Sequence, residues 1–231
     1  MLDSSRKVVV VGDGMVGKTA LLAAYINGRF ETDYIPTVFE TTAKEIELTD
    51  GRRITLGLWD TGGQEEFDQI RQLAYPGASL ILMCYAVDCP TSLDNITQTW
   101  LGEVRNYCPN VPLILVGCKA DRRGATADYS HESFALVDPD TAQWISKQIR
   151  AQVHIECSAF HRSNVDTVFE LAARIILDTD LTKHRVLSLR RMLSFKSDRQ
   201  MSNGYANRSP HEGSLSGKRV QRTNLWCFTK R

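Results

Sequence analysis

Gly12-Asp13-Gly14-Met15-Val16-Gly17-Lys18-Thr19 stands between the apolar run Val8-Val9-Val10-Val11 and the helix-like stretch Ala20-Leu21-Leu22-Ala23-Ala24-Tyr25-Ile26. The unbroken β-branched run predicts a strand buried on both faces. Two glycines with four residues between them, then Lys and Thr, match the pattern in which a strand feeds a tight turn and the turn opens a helix. Backbone N–H groups in such a turn converge on an anion at the helix N-terminus. Gly12, Asp13, Gly14, Met15, Val16, Gly17, Lys18, Thr19 and Ala20 are therefore candidate phosphate-binding residues. Lys18 adds a point charge against the β- and γ-phosphates, and the Thr19 hydroxyl suits a Mg²⁺ ion. An ordinary glycine turn would not require strand, spacing, Lys and Thr to agree.

The chain of 231 residues is long enough for one sizeable domain and a tail. A net charge of +1 argues against bulk electrostatic binding to nucleic acid. Its six cysteines, Cys84, Cys89, Cys108, Cys118, Cys157 and Cys227, form no CxxC pair and read as free thiols rather than a disulfide or zinc framework. The five histidines lack ligand spacing. Met1–Ser5 shows neither a signal-peptide apolar region nor a glycine at position 2, and no apolar run reaches membrane-span length. The expectation is a cytoplasmic protein.

After the first helix, expected to end at Asn27-Gly28, Phe30–Phe39 is polar and proline-broken, as in an active loop. Lys44–Leu48 and Arg53–Trp59 alternate about an Asp50-Gly51 turn and predict a hairpin. Ser79–Val87, Leu113–Gly117 and Val153–Cys157 read as further strands. Ser92 is the expected N-cap of a helix through Trp100, Leu101, Val104 and Tyr107, stopped by Pro109. A helix from about Asp140 is expected to carry Trp144, Ile145 and Ile149. Asn164 is expected to cap a last helix whose apolar positions are Val165, Val168, Phe169, Ala172 and Ile176. Strands alternating with helices imply a three-layer α/β domain whose mostly parallel, six-stranded sheet carries one antiparallel edge strand. The domain limits expected are an extension at 1–6, the domain at 7–178 with an irregular insert at about 122–137, and a basic, mostly disordered tail at 179–231.

In such sheets ligands sit at the carboxyl ends of strands. Asp60-Thr61-Gly62-Gly63-Gln64 places a carboxylate there, able to hold Mg²⁺ through water, with the Gly63 N–H for a γ-phosphate and Gln64 to orient a water. Lys119 and Asp121, two apart at another strand end, suit guanine: the Asp121 carboxylate accepts from its N1 and N2 donors while the Lys119 stem lies over the base. Ser158-Ala159, after the last strand, offers a backbone N–H to the guanine oxygen. A Lys-x-Asp alone is usually a solvated loop. The order and placement of these stretches on successive strand ends argue against chance.

These stretches, with Tyr34-Ile35-Pro36-Thr37-Val38-Phe39-Glu40, Leu58-Trp59-Asp60-Thr61 and Glu156-Cys157-Ser158-Ala159, resemble the Rho family of Ras-superfamily small GTPases over about Lys7–Leu177. The resemblance implies a P-loop GTPase fold and a GTP/GDP switch with Mg²⁺ as cofactor. It implies that Tyr34–Glu40 is the first switch, with Thr37 on Mg²⁺ and Tyr34 at the nucleotide, that Phe30 packs on guanine, and that Gly62 to about Tyr75 is the second switch. It further implies slow GTP hydrolysis by in-line water attack, with Gln64, Lys18, Thr37 and Gly63 as catalytic groups and an arginine from an activating protein. Exchange factors, activating proteins and effectors are the implied partners, effectors meeting exposed Val38, Phe39 and Glu40; cytoskeletal or polarity signalling is the implied context. The alternative is a fast-exchanging, mostly GTP-bound scaffold with little regulated hydrolysis.

Four departures from the family stand out. Cys118 replaces the usual Asn or Thr, and a weakly bonding thiol there implies faster GDP release. Gly62 replaces Ala and costs more entropy to order. The insert lacks the Lys/Glu helix pattern of Rho proteins. The chain ends Trp226-Cys227-Phe228-Thr229-Lys230-Arg231, so ordinary prenylation is not predicted. Cys227, near Lys218, Arg219, Arg222, Lys230 and Arg231, is a candidate palmitoylation site, and Lys183–Lys196 a candidate amphipathic membrane-surface helix. Together they imply a peripheral pool on the inner face of the plasma membrane or endomembranes.

Overall fold

Successive valines of the first strand point to opposite faces of one sheet, and each face has its own core. A computed structural model describes residues 5–30, 37–124 and 135–182. Strands β1 (Arg6–Val11), β2 (Phe39–Glu47), β3 (Arg53–Thr61), β4 (Leu80–Ala86), β5 (Leu113–Cys118) and β6 (Val153–Glu156) form a six-stranded sheet in the order β2-β3-β1-β4-β5-β6. β2 pairs antiparallel with β3, and every other pair is parallel. This is the P-loop α/β architecture expected.

Val8 and Val10 face helix α1 (Lys18–Asn27) and the helix over 165–182, here α6. There Leu21, Leu22, Val165, Val168, Phe169, Ala172 and Ile176 bury completely or nearly so, and Tyr25 stacks on Phe169 with ring centroids 3.8 Å apart. Val9 and Val11 face the other layer, with Ile81, Met83 and Tyr85 packed under Leu93, Ile96, Trp100, Val104, Ile145 and Ile149. Burying each such side chain is worth about 1.5–3 kcal/mol, so the central strands anchor the domain. α1 ends at Gly28, whose φ of 71° closes the helix, as expected.

The structure departs from the sequence reading in three places. β2 begins at Phe39, five residues before the alternating stretch, because the ladder with β3 continues to Phe39↔Thr61. The third layer's long helix starts at Pro90, not after Ser92: it runs as α3 (Pro90–Asn95), a π turn (Ile96–Trp100) and α4 (Leu101–Tyr107). Ser92 is buried inside it, where its Oγ accepts from the Ala86 N–H at 3.0 Å and donates to the Cys89 carbonyl at 2.6 Å. Helix α5 (Pro139–Gln148) begins where expected, capped by the Asp138 carboxylate on the Thr141 N–H; Trp144 lies 60% exposed while Ala142, Ile145 and Ile149 are buried. Asn164 precedes α6 as expected but sits at φ 59°, its side-chain amide donating to the Glu156 carbonyl.

Tyr34, residues 125–134 of the insert, the Lys183–Lys196 stretch and Cys227 lie outside the described residues. Among the described residues, no helix is long and apolar enough to cross a membrane.

Candidate functional site

The carboxyl ends of β1, β3 and β5, with the loop after β6, surround one cavity of about 1060 Å³. At its phosphate end, Gly14, Met15, Gly17, Lys18, Thr19 and Ala20 form the wall. Gly17 takes φ 108° and Met15 φ 64°, the left-handed conformations that turn the loop around its hollow. The Lys18 ammonium is buried and donates to the Gly12 and Asp13 carbonyls, each at 2.7 Å, and burial lowers its pKa. Val16 is core. The Asp13 side chain turns away from the cavity: its carboxylate accepts from Asn95 Nδ2 and Trp100 Nε1, both at 2.7 Å. Those two donors bracket the π turn, so the loop's position is tied to the irregularity in that helix.

Beside Lys18, the Thr19 and Thr37 hydroxyls lie 2.7 Å apart. Asp60 sits beneath them, buried, with Oδ1 lacking a hydrogen-bond partner. Burial raises the pKa of its carboxyl, opposed by bonds from Thr19 and the Lys18 charge. A buried carboxylate with an unbonded oxygen, next to two hydroxyls, is a donor set that fits a hard divalent cation keeping several waters.

Gly63 packs directly on the Gly12–Gly14 backbone, where any Cβ would collide. The Gln64 stem passes over Gly14, its Cγ 3.5 Å from where a Gly14 Cβ would be. Gly62 is also a close-approach glycine: a Cβ would lie 2.9 Å from the Thr37 carbonyl and 2.5 Å from the Phe67 ring, and its N–H bonds the Val38 carbonyl. The segment is then fastened by Arg71, 3% exposed. Its guanidinium grips Glu103 at 2.8 and 2.9 Å, donates to the Gly62 carbonyl at 2.9 Å and lies over the Trp100 ring. Tyr75 Oη donates to Glu103 at 2.6 Å. Burial raises the Glu103 carboxyl, but Arg71 and Tyr75 outweigh it and hold the group below its ordinary value.

At the other end of the cavity, Cys118, Lys119, Asp121 and Ala159 line the wall. Lys119 takes φ 62° and extends its ammonium to Asp88 at 3.4 Å. Ser158 is not a wall residue. Its N–H is used by the Ser163 carbonyl, and its buried hydroxyl donates to Asp121 Oδ1 at 2.5 Å, which orients that carboxylate. The backbone donor expected at Ser158-Ala159 therefore falls to Ala159. Phe30 meets Phe160 edge-to-face, centroids 5.4 Å apart, across the mouth.

On the expected effector strip, Val38 and Glu40 are exposed. Phe39 is not: half-buried, it packs edge-to-face on Trp59. Sequence reasoning missed Phe160, the Asp13–Asn95–Trp100 tether and the Arg71–Glu103 pair. Only Phe160 had a local signal, an aromatic in a polar loop directly after Ser158-Ala159.

Fold and site together define a P-loop nucleotide-binding protein of the α/β class. The Ras family model matches residues 7–178. GTP-binding protein RHO4 of Saccharomyces cerevisiae is 40% identical over 96% of this chain and 75% of its own length. GTP-binding protein Rho1 of Kluyveromyces lactis is 45% identical over 74% and 84%, and rho5 of Schizosaccharomyces pombe 44% over 73% and 86%. The chain belongs to the Ras family and is a Rho-type small GTPase, a GTP hydrolase.

Proposed function

We propose that this GTPase is a regulated signalling switch that binds GDP and GTP with Mg²⁺, hydrolyses GTP slowly and engages effectors in the GTP form. The observation that carries the reading is the convergence on one cavity of Lys18, Thr19, Thr37, Gly63 and Gln64 at one end and Lys119, Asp121 and Ala159 at the other. Lys18 and the loop N–H groups hold the β- and γ-phosphates. Thr19, Thr37 and Asp60 would hold Mg²⁺, which would supply positive charge to offset that of the phosphate oxygens. Gln64, lying over Gly14, orients the attacking water, and Gly63 contacts the γ-phosphate. Asp121, aligned by Ser158, reads the guanine edge, Ala159 its oxygen, and Phe30 its face.

Loss of the γ-phosphate releases Thr37 and Gly63, and the two switches, bonded through Gly62 and Val38, relax together. Exposed Val38 and Glu40 then report the state to effectors. Exchange factors and activating proteins set the ratio of forms, in cytoskeletal or polarity signalling. The protein is cytoplasmic, with a peripheral membrane pool held by its basic tail and acylated Cys227.

Single-turnover hydrolysis on the purified full chain tests the reading. Phosphate release from bound GTP should slow on the order of 10²-fold in Gln64→Leu with GTP still bound. Equal rates would leave a scaffold without regulated hydrolysis.

A further inference from the structure

A row of three residues crosses the sheet behind the guanine end of the cavity. Strand pairing aligns Tyr85 of β4 with Gly117 of β5, and Gly117 with Glu156 of β6. Gly117 puts no side chain between the other two, and the Tyr85 phenol fills that lane. A Cβ on Gly117 would lie 2.6 Å from Tyr85 Oη and 2.9 Å from Glu156 Cγ. Fully buried Tyr85 therefore reaches β6, where its Oη stands 2.9 Å from His154 Nε2 and 3.3 Å from Glu156 Oε1. Glu156 is held in turn by Arg123, whose Nε and Nη2 each donate to its carboxylate at 2.6 Å.

Arg123 belongs to the turn Ala120–Gly124, just after Asp121, and Glu156 comes just before Ser158, which orients Asp121, and Ala159. The ion pair thus clasps together the two segments that form the guanine end. Tyr85 has one proton to give and two acceptors within reach. His154 Nδ1 faces Gln143 Oε1 at 3.2 Å, and an amide oxygen only accepts, so the neutral ring carries its proton on Nδ1. Nε2 is then an acceptor and takes the Tyr85 proton across the shorter distance, which leaves the Glu156 contact long. Burial holds the imidazole below its ordinary value; the Glu156 charge opposes this and Arg123 reinforces it, so the ring is neutral at about pH 7. Burial pushes the Tyr85 phenol up, so it keeps its proton. Among the described residues Tyr85, Glu156 and Arg123 are the titratable groups facing His154. Gln143, from α5, is uncharged, and Asp138 adds its charge on the Arg123 side.

We propose that Tyr85 and His154 are positioning residues for guanine retention: protonation of His154 turns the Tyr85 hydroxyl from His154 to Glu156 and tightens the clasp around bound nucleotide. The effect on nucleotide rests on the guanine reading of Asp121 above. When half-buried His154 gains its second proton, Nε2 becomes a donor and no longer accepts from Tyr85. The imidazolium N–H points at the phenol oxygen, and the phenol proton turns to Glu156 Oε1. Glu156 then has a third donor beside the two from Arg123, and the phenol, polarised by the imidazolium, bonds more strongly than a free one. Neither Tyr85 nor His154 lines the cavity; both act through Glu156. The effect is reciprocal: a proton that favours bound GDP is itself favoured by bound GDP.

The test measures release of fluorescent GDP from the full chain with Mg²⁺, between about pH 5 and 8, in the wild type, Tyr85→Phe and His154→Gln. Dividing each wild-type rate by that of Tyr85→Phe at the same pH removes effects common to both proteins. In that ratio, release should slow about threefold as pH falls below about 6.5, the size of one hydrogen bond gained. His154→Gln against Tyr85→Phe should show no such step. A merely structural role for the phenol would change rates equally at every pH. NMR of the His154 ring should show the Nδ1–H tautomer at about pH 7.5, and a titration about half a pH unit higher with GDP bound than in chain stripped of nucleotide. A flat ratio, acceleration on acidification, an Nε2–H tautomer, or a His154 titration indifferent to GDP would each overturn the proposal. If Tyr85→Phe fails to fold, the ratio of wild type to His154→Gln must carry the same step. A chain that never retains GDP would instead refute the guanine reading, and the His154 tautomer, read in stripped protein, would still decide where the Tyr85 hydroxyl points.

Discussion

The two ends of the cavity are built from different materials. Around the phosphates the contacts are backbone: Lys18 on two carbonyls, and Gly63 against the Gly12–Gly14 trace. Around the base they are side chains: Asp121 held by Ser158, Phe30 against Phe160, and Cys118 and Cys157 in the wall. A site made of backbone admits only residues that permit its trace. One made of side chains can change a partner at a time while the trace stays fixed. The departure at Cys118 falls at the side-chain end and the one at Gly62 beside the phosphate end, while the phosphate loop itself keeps every residue of its pattern.

The contrast breaks most visibly at Gly12. It has φ 142°, and a Cβ there would run into the Cys84 carbonyl, a backbone atom that cannot swing aside. Gly12→Ala should cost about 3 kcal/mol or more and lower the melting temperature even without nucleotide. A melt unchanged within error would show that the loop's trace is adaptable.

The tie behind the phosphate end comes next. Removing Glu103 strips buried Arg71 of its bidentate partner but leaves Asp68 and the Gly62 carbonyl, so Glu103→Ala should cost about 2 kcal/mol, below the full penalty for an unpaired buried charge. The folded carboxyl is held below its unfolded value, so its contribution is complete above about pH 4.3 and is lost as pH falls through the folded value. Glu103→Gln should therefore lose that part of the acid-side fall in melting temperature. An acid limb identical to that of the wild type would refute the assignment.

The same division explains what the sequence disclosed. Val8–Val11, the Asp50-Gly51 hairpin and the apolar positions of α6 announce themselves because period and turn chemistry are local. The loop's glycines and Lys18 are equally legible, since their spacing is their function. Ser92 misled because its capping preference is local while its actual partner, the Ala86 N–H, is set by where β4 ends. The π turn left no mark either: it is secured by Asn95 and Trp100 reaching Asp13, 82 and 87 positions earlier. Cys84, Cys118 and Cys157 come from three separate strands or their ends, and only the sheet order brings them into one core.

At the base end the effects should be smaller. Phe160 is 60% exposed and touches Phe30 edge-on, a geometry worth about 1 kcal/mol. Phe160→Ala should weaken GDP about fivefold and leave the melt of the nucleotide-free chain unchanged. If GDP affinity does not move, the ring is a bystander at the mouth of the pocket.

The finest test is Cys118→Thr, which exchanges a weak hydrogen-bonding thiol for a hydroxyl of similar shape against Gly17. The hydroxyl gains a stronger bond towards the loop or nucleotide but enters a wall it shares with the Cys84 and Cys157 thiols, so the net gain is about 0.5 kcal/mol. GDP release should slow only about two- to threefold, read by displacement of a fluorescent nucleotide. Release at the wild-type rate would mean that thiol and hydroxyl are equivalent here and that fast exchange is not written at this position. A side-chain-built end thus lets one residue tune nucleotide retention while the trace around it stays fixed.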